Sequence, residues 1–268
     1  MVKKEITSRD NPAVKRFVQL SASRKARMEE NAFVTEGVKL TWEAACAGYR
    51  MESLFMTKAA WERCGQLPAP VQDADYFYEI SDAVAQKMAQ SVHTQGVFGV
   101  FRLLDKEEQP VKISSNGKFL LLCSLQDPGN LGTILRTAAA FGVDGIFISK
   151  DCPDLYSPKV LRAAMGGIFR ANVQIVEDME QLARSLQRQG IAVYAAALHR
   201  EAVALQSAGL SKGGCAVAVG NEGNGLPAAF IEACNGCIQI PMQEGSESLN
   251  AAMAAGIILW EMARQDRP

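Results

Sequence analysis

A chain of 268 residues, 48% of them hydrophobic, is long enough for two domains and too apolar to be disordered throughout. Its 28 Lys and Arg residues are balanced by 29 Asp and Glu residues, which excludes a globally basic nucleic-acid-binding protein. No apolar run reaches the roughly 18 residues of a membrane span, and the first residues lack the apolar core of a signal peptide. We therefore expect a cytoplasmic protein that does not enter a membrane.

The first 27 residues are locally basic, with eight Lys or Arg residues against two acidic ones. Such a cluster attracts phosphates through its field and through counterion release, but on charge alone a solvated basic face is an equally good interpretation. The candidate RNA-contacting residues are Lys3, Lys4, Arg9, Lys15, Arg16, Arg24, Lys25 and Arg27.

From residue 32 to residue 104, strand-like runs such as MESLFMT alternate with helix-like segments such as KAAWERCGQ. A charged segment with Pro, Ser and Gly and no sustained periodicity follows. We therefore predict a smaller N-terminal α/β domain at 1–105, a linker at 106–117 and a second domain at 118–268.

The second domain begins with FLLLCSL, a continuous apolar run typical of strands that are buried on both faces of a parallel sheet. Further apolar runs alternate with helical segments, which predicts a doubly wound, mostly parallel α/β sheet. Ligands of such sheets bind beyond the carboxyl ends of the strands, so the loops there are the candidate sites.

Three of these loops carry unusual residues, although each also has an ordinary explanation. Asn130 is predicted to cap a helix that carries Arg136, which by itself reads as a solvated surface arginine. Glu222 lies in a glycine-rich loop without the spacing of a dinucleotide or nucleoside-triphosphate motif. Ser248 and Asn250 stand near the start of an apolar helix, where N-capping is sufficient to explain them.

The cysteines and histidines give little support for a further functional site. Cys234 and Cys237 form the only close cysteine pair, and without a second pair we expect them to pack rather than to bind metal or act in redox chemistry. No metal site is predicted. We expect no catalytic role for His93 or His199.

Together the three loops resemble the motifs of the SpoU, or TrmH-like, branch of the SPOUT RNA methyltransferases. DPGNLGTILRTAAAFG is similar to the first motif, VAVGNEGNGL to the second and IQIPMQEGSESLNAAMAAGI to the third. LYSPKVLRAAMGGIFR also resembles the family between the first two motifs. The N-terminal half resembles the substrate-binding domain that is fused to many members, so the likeness covers nearly the whole chain.

The resemblance implies an S-adenosylmethionine-dependent methyltransferase that acts on a ribose 2′-hydroxyl of RNA, with ribosomal RNA as the expected substrate. It also implies a deep C-terminal trefoil knot and a homodimer formed through the catalytic domain, with the active site at the interface. Two alternatives stay open: a catalytically silent, ribosome-associated RNA-binding factor, and tRNA as the substrate. A nucleotide-dependent oxidoreductase lacks its motif.

Site residues follow from motif position. The family's catalytic set corresponds here to Asn130, Arg136, Glu222, Ser248 and Asn250. The positions that contact the cofactor in the family, with their neighbours, correspond to Gly220, Asn221, Ile240, Met242 and Leu249. At Gly220, the lack of a side chain would let the backbone approach the ligand.

The resemblance places Arg136 where the family has a residue proposed to help deprotonate the ribose hydroxyl. Because an arginine guanidinium has a pKa above about 12, it is a poor base. We expect it instead to bind a neighbouring phosphate and to stabilise the developing alkoxide. Glu222 is expected to orient an arginine through a bidentate contact, while Ser248 and Asn250 position the ribose or the cofactor tail.

Overall fold

The computed structural model describes residues 3–103, 110–243 and 248–264 of the chain. These residues divide into two compact units. The first consists of the described residues within Met1–Glu108 and Asp154–Phe169, and the second of those within Gln109–Pro153 and Arg170–Pro268. The two units are described separately below.

The described residues form strands in both units. They are β1 (Lys3–Ile6), β2 (Ala32–Glu36), β3 (Met51–Thr57), β4 (Tyr76–Ile80), β5 (Val97–Arg102), β6 (Lys118–Leu122), β7 (Gly145–Ser149), β8 (Val173–Val176), β9 (Ala192–Ala196), β10 (Val203–Ala204), β11 (Cys215–Val219) and β12 (Gly236–Gln239).

The helices lie mostly between the strands. They are α1 (Pro12–Ala22), α2 (Arg24–Glu29), α3 (Val38–Cys46), α4 (Lys58–Cys64), α5 (Ala69–Gln72), α6 (Asp82–Met88), α7 (Pro128–Phe141), α8 (Pro158–Ala164), α9 (Met179–Arg188), α10 (Ala228–Ala233) and α11 (Ala251–Ala263).

The first unit is built on a mixed five-stranded sheet with the order β1-β4-β3-β5-β2. β4 pairs in parallel with β1 and β3, whereas β5 pairs antiparallel with β3 and β2. α1 and α6 bury their apolar sides against one face of this sheet, around Phe17, Phe55 and Phe98. The sequence predicted β2 to β5 but not β1, because that strand is Lys-rich and, among its described side chains, Ile6 alone is buried.

The segment 154–169 belongs to the first unit, although in the sequence it lies between the first and second motifs, which both belong to the second unit. The ring of Phe33 in β2 packs 4.9 Å from Tyr156 and 6.1 Å from Phe169, measured between centroids. Arg27 in α2 pairs with Asp154. From its position along the chain, we predicted that this segment belongs to the second domain. Contacts between residues more than a hundred positions apart produce no pattern in the local sequence that could have corrected this prediction.

The second unit contains a seven-stranded sheet with the order β10-β12-β9-β11-β6-β7-β8, and its strand pairs are parallel. α9 and α10 cover one face, where Phe119 and Leu121 of β6 are buried. Leu120 and Leu122 alternate with them and are equally buried on the opposite face. The predicted α/β fold with a parallel sheet is confirmed, and β6, β11 and β12 carry the three motifs at their carboxyl ends.

No helix in the described ranges has both the length and the apolar character that crossing a membrane requires.

Candidate functional site

The first motif opens α7, and the residue that caps this helix is Asp127. Its carboxylate accepts a hydrogen bond from the backbone N–H of Asn130 at 2.8 Å, and Pro128 occupies the first helical position. The prediction that Asn130 is the cap was therefore wrong by three residues. Asn130 lies in the first turn, so its side chain is not engaged in capping and can reach the other loops.

The second motif is a tight loop closed on itself after β11. The backbones of Asn221 and Gly225 exchange two hydrogen bonds of 3.0 and 2.9 Å. A Cβ on Gly220 would stand 2.5 Å from the backbone of Gly225. Glycine at 220 is thus required by the close approach of the loop to itself, which is a different reason from the predicted approach of a ligand.

Asn221 holds this loop in shape and joins it to the first motif. Its side-chain oxygen accepts hydrogen bonds from the backbone N–H groups of Gly223 and Asn224 at 2.8 and 2.9 Å. Its side-chain nitrogen donates to the carbonyl oxygen of Ser124 at 2.8 Å. With every polar atom of the Asn221 amide so engaged, the side chain supports the loop structurally.

Glu222 is held by the backbone of the first motif. Its two oxygens accept hydrogen bonds from the N–H groups of Gln126 at 2.9 Å and Asp127 at 3.2 Å. Partial burial acts to raise the pKa of this carboxyl, but hydrogen bonds from Asn130 and the backbone outweigh it and keep the pKa below its ordinary value. Within the described ranges no arginine contacts Glu222, so the predicted bidentate arginine contact is absent there.

Asn130, Glu222 and Asn250 form one hydrogen-bonded chain that draws a residue from each motif. The Asn130 side-chain nitrogen donates to Glu222 at 3.0 Å, and its oxygen accepts from the Asn250 side-chain nitrogen at 2.9 Å. Asn250 also caps α11, since its oxygen accepts from the N–H groups of Ala252 and Met253. Asn250 thus caps α11, as predicted, and also contacts Asn130, another residue of the predicted catalytic set.

Arg136 and Ser248 stand apart from this chain. Arg136 is exposed on α7, and six helical residues from Asn130 correspond to about 240° of rotation and about 9 Å along the axis. No hydrogen bond or ion pair joins Arg136 to another residue in the described part of the structure. Ser248 is exposed beside the start of α11 and lines a cavity.

That cavity lies at the carboxyl ends of β9 and β12 and has a volume of about 140 Å³. Its walls are mostly apolar, and three of the five predicted cofactor residues, Ile240, Met242 and Leu249, contribute to them. Gly220 and Asn221 do not line it. The sequence missed the segment 196–198, at the carboxyl end of β9, because only the strand order places β9 next to β12.

The basic residues of the first unit differ in accessibility. Lys4, Arg9, Lys15, Arg24 and Lys25 are exposed, with Lys15 paired to Asp10 and Lys25 to Glu29. Lys3 belongs to β1, but its side chain lies outside the described part of the structure. Arg16 is half-buried between Glu30 and Glu52.

Arg27 is buried, and the structure removes it from the predicted RNA-contacting set. Its side chain is 5% exposed, and two of its nitrogens bind Asp154 at 2.6 and 2.8 Å. A third nitrogen donates to the carbonyl oxygens of Leu20 and Ser21. Four of the five N–H donors of the guanidinium are engaged in this way and the side chain is buried, so we expect Arg27 to stabilise the first unit rather than to bind a phosphate.

Fold and site define a two-unit α/β protein with a polar, three-loop site at the carboxyl edge of a parallel sheet and a separate unit with exposed cations. A model of the SpoU rRNA Methylase family matches residues 117–260, and a model of an MRM3-like substrate binding domain matches residues 11–99. The chain belongs to the SpoU rRNA Methylase family.

Similar proteins cover nearly the full chain. A tRNA/rRNA methyltransferase from Synechocystis, described as uncharacterized, is 34% identical over 97% of this chain and 93% of its own length. A 23S rRNA (guanosine(2553)-2′-O)-methyltransferase from Bacillus subtilis is 29% identical over 97% of this chain and 99% of its own. A solved structure, an AdoMet-bound rRNA methyltransferase from Sinorhizobium meliloti, is 29% identical, with a TM-score of 0.85 and 98% of both chains covered.

Proposed function

We propose that the protein is an S-adenosylmethionine-dependent methyltransferase that transfers a methyl group to a ribose 2′-hydroxyl of ribosomal RNA. The observation that carries this function is the hydrogen-bonded chain of Asn130, Glu222 and Asn250, which unites three family motifs beside an apolar cavity. The full-length relatives named above support the enzyme class and the substrate class.

The walls of the cavity suit the adenine part of the cofactor. Flat, weakly polar groups such as adenine bind in mostly apolar clefts with a few polar groups at the rim, and this cavity has Ile240, Met242 and Leu249 in its walls and Ser248 at its edge. When bound there, S-adenosylmethionine would supply an activated methyl group. Ile240, Met242 and Leu249 would hold it by burying its apolar surface.

The three-residue chain fixes the loops around the reacting hydroxyl. Glu222 stays ionised, since its hydrogen bonds from Asn130 and the backbone favour the anion. A fixed anion orients the Asn130 amide, which in turn orients Asn250 at the start of α11. Groups that are already in place when charge develops need no reorganisation during the reaction. Arg136 would stabilise the developing alkoxide and bind an adjacent phosphate.

The site in a single chain is incomplete, because Arg136 lies away from the three-residue chain. α7 and α11 pack against each other, with the ring of Phe141 6.0 Å from that of Trp260. On α11, Met253, Ile257 and Trp260 are exposed at helical spacing, and Trp260 keeps 52% of its surface in solvent. We propose that this apolar stripe forms a homodimer interface that brings Arg136 to the partner's site.

The remaining parts of the proposal follow from the family. We assign residues 1–105, together with 154–169, to RNA binding and the rest of 118–268 to the catalytic domain with its deep trefoil knot. Of the predicted linker 106–117, the residues from 110 onward belong to the second unit, where Val111 is buried in the core. A cytoplasmic location is proposed because the bacterial relative acts on 23S rRNA. In the first unit, the exposed cations Lys4, Arg9, Lys15, Arg24 and Lys25 are available to phosphates.

Calorimetric titration with S-adenosylmethionine tests the site. Ala197 lines the cavity, so Ala197→Trp should abolish binding, whereas Ala229→Trp, an exposed position on α10, should bind like the wild type. Mapping of 2′-O-methylation in ribosomal RNA from cells with and without the gene then tests the reaction. Cofactor binding without a lost methyl group in either rRNA or tRNA would favour a silent RNA-binding factor.

A further inference from the structure

One end of the sheet in the first unit presents a stack of aromatic rings. Tyr78 of β4 stacks on Phe55 of β3, with centroids 4.8 Å apart and ring planes at 23°. Tyr76, two residues earlier, lies 6.2 Å from Tyr78 with the planes at 17°. Phe55 is buried and Tyr78 half-buried, whereas Tyr76 is 50% exposed. The stack thus runs from the core to the solvent.

The strand register explains why these rings share a face. Phe55 is the partner of Tyr78 across β3 and β4, and Lys4 of β1 is the partner of Tyr78 on the other side. Residues paired in this way project from the same face, as do residues two positions apart on one strand. Lys4 therefore stands beside the rings, and its ammonium nitrogen lies 5.5 Å from the centroid of Tyr76.

A cleft of about 420 Å³ opens on this face, between the sheet and α1. Tyr76 and Tyr78 line it, together with Ser53, Val100 and Arg102. β3 carries an irregularity between Met51 and Ser53 at this end of the sheet, and such irregularities redirect side chains. The cleft is large enough for a flat heterocycle to lie against an aromatic face.

Cations surround the rings, and the acidic residues among them are paired. Glu52 accepts hydrogen bonds from both Arg16 and Arg102, at 2.7 Å each, and these bonds hold its pKa below the ordinary value against the opposing effect of burial. Asp75 is bound by Arg50. Lys4, Arg50 and Arg102 remain exposed, so the rim of the cleft can still attract phosphates.

We propose that this face, formed by Lys4, Tyr76, Tyr78 and Arg102, is a stacking site for an unpaired base of the RNA substrate. Aromatic rings that reach solvent at the end of a sheet, flanked by cations, are one means by which proteins bind single-stranded RNA, because every base has a π-face. The proposal rests on the proposed function in one respect, that the first unit binds RNA, and it adds residues outside the basic N-terminal cluster.

The test uses the full-length protein and a mixed-sequence, single-stranded RNA that contains 5-iodouridine. Tyr76→Ala should weaken RNA binding by about 5- to 150-fold, the effect of losing one stacked base, while Tyr76→Phe keeps the ring and the affinity. Because stacking releases no counterions, the slope of log K against log salt should not change in Tyr76→Ala. Irradiation should crosslink the RNA to Tyr76, as mapped by mass spectrometry.

Met28→Ala is the matched control, since it removes another exposed side chain from the same unit and should leave RNA affinity unchanged. Equal RNA affinity of Tyr76→Ala and the wild type, with methylation intact, would overturn this proposal and leave the proposed function standing. A crosslink that maps only to other residues would also overturn it. Wild-type protein that neither binds nor methylates RNA would overturn the proposed function as well.

Discussion

The side-chain nitrogen of Asn250 donates a hydrogen bond to the side-chain oxygen of Asn130 at 2.9 Å, and this contact joins the beginnings of α11 and α7. The side-chain nitrogen of Asn130 in turn donates a hydrogen bond to Glu222, which also accepts hydrogen bonds from the backbone of the first motif. The two asparagines lie 120 residues apart, so the site depends on tertiary structure for its shape.

Replacing Asn130 with alanine should lower the methyl-transfer rate by about 100-fold or more, because it removes a preorganised group and frees both of its partners. The free energy of unfolding should fall by about 1–2 kcal/mol. Asn172→Ala is the control, since it also removes one exposed hydrogen bond of the second unit, to the carbonyl of Asp144. Single-turnover kinetics measure the methyl-transfer rate of each variant. An equal loss of rate in Asn130→Ala and Asn172→Ala would contradict a specific role for Asn130.

Glu222 makes the stability of the second motif dependent on pH. Its folded pKa lies below the unfolded value, so its stabilising effect is present above the ordinary glutamate pKa of about 4.3 and is lost as the pH falls through the folded pKa. The difference in unfolding free energy between wild type and Glu222→Gln should therefore be largest near neutral pH and shrink in acid. Urea denaturation at several pH values measures it; a constant difference would argue against an ionised Glu222.

Gly220→Ala should disturb the second motif because the added Cβ would stand 2.5 Å from the backbone of Gly225. Relief of such a clash by backbone movement costs about 1–3 kcal/mol, and the weakened loop should bind S-adenosylmethionine less tightly. At Gly223 the nearest atom to an added Cβ is 3.5 Å away, so Gly223→Ala is the matched control. Thermal unfolding measures the stability of the two variants, and calorimetry measures their affinity for S-adenosylmethionine. Equal stability and equal affinity of Gly220→Ala and Gly223→Ala would refute this prediction.

Substituting Arg27 should affect protein stability, whereas substituting the exposed cations should affect RNA binding. Arg27→Ala leaves the partly buried Asp154 without its partner and should cost about 3 kcal/mol of stability, the lower end of the range for a broken buried pair. Lys15→Ala combined with Lys25→Ala should change stability little, since ion pairs between exposed side chains are screened by solvent. It should instead flatten the salt dependence of RNA binding. If folded Arg27→Ala protein showed a changed slope of log K for RNA binding against log salt, Arg27 would have to be counted among the RNA-contacting residues.

The proposed homodimer can be tested through complementation between two inactive variants. If Arg136 acts in the partner's site, Arg136→Ala and Asn130→Ala are each inactive, but a mixture that exchanges subunits should recover about a quarter of wild-type activity, since half of the dimers then contain one intact site. Trp260→Glu should give a monomer in sedimentation because it places a charge in the apolar stripe. Recovery should be absent when Trp260→Glu is added to both chains. No recovery in the original mixture would mean that Arg136 acts within its own chain.

The sequence located the site through its loops, because β6, β11 and β12 have strong apolar patterns and the motifs follow them directly. It misplaced the cap of α7, although Pro128 was a usable signal: proline favours the first helical position, which makes the preceding Asp127 the cap. The contribution of 196–198 to the cavity and the burial of Arg27 depend on which distant segments become neighbours. No local pattern encodes that information.

The place of residues 154–169 in the first unit has a consequence for biosynthesis. During translation the N-terminal residues emerge first, but Arg27 cannot meet Asp154, nor Phe33 meet Tyr156, until the ribosome has made more than half of the chain. By then β6 and β7 of the other sheet have also been made. The nascent protein therefore cannot finish one unit before it starts the next, and an excised fragment ending at residue 105 would lack the carboxylate that neutralises a buried arginine.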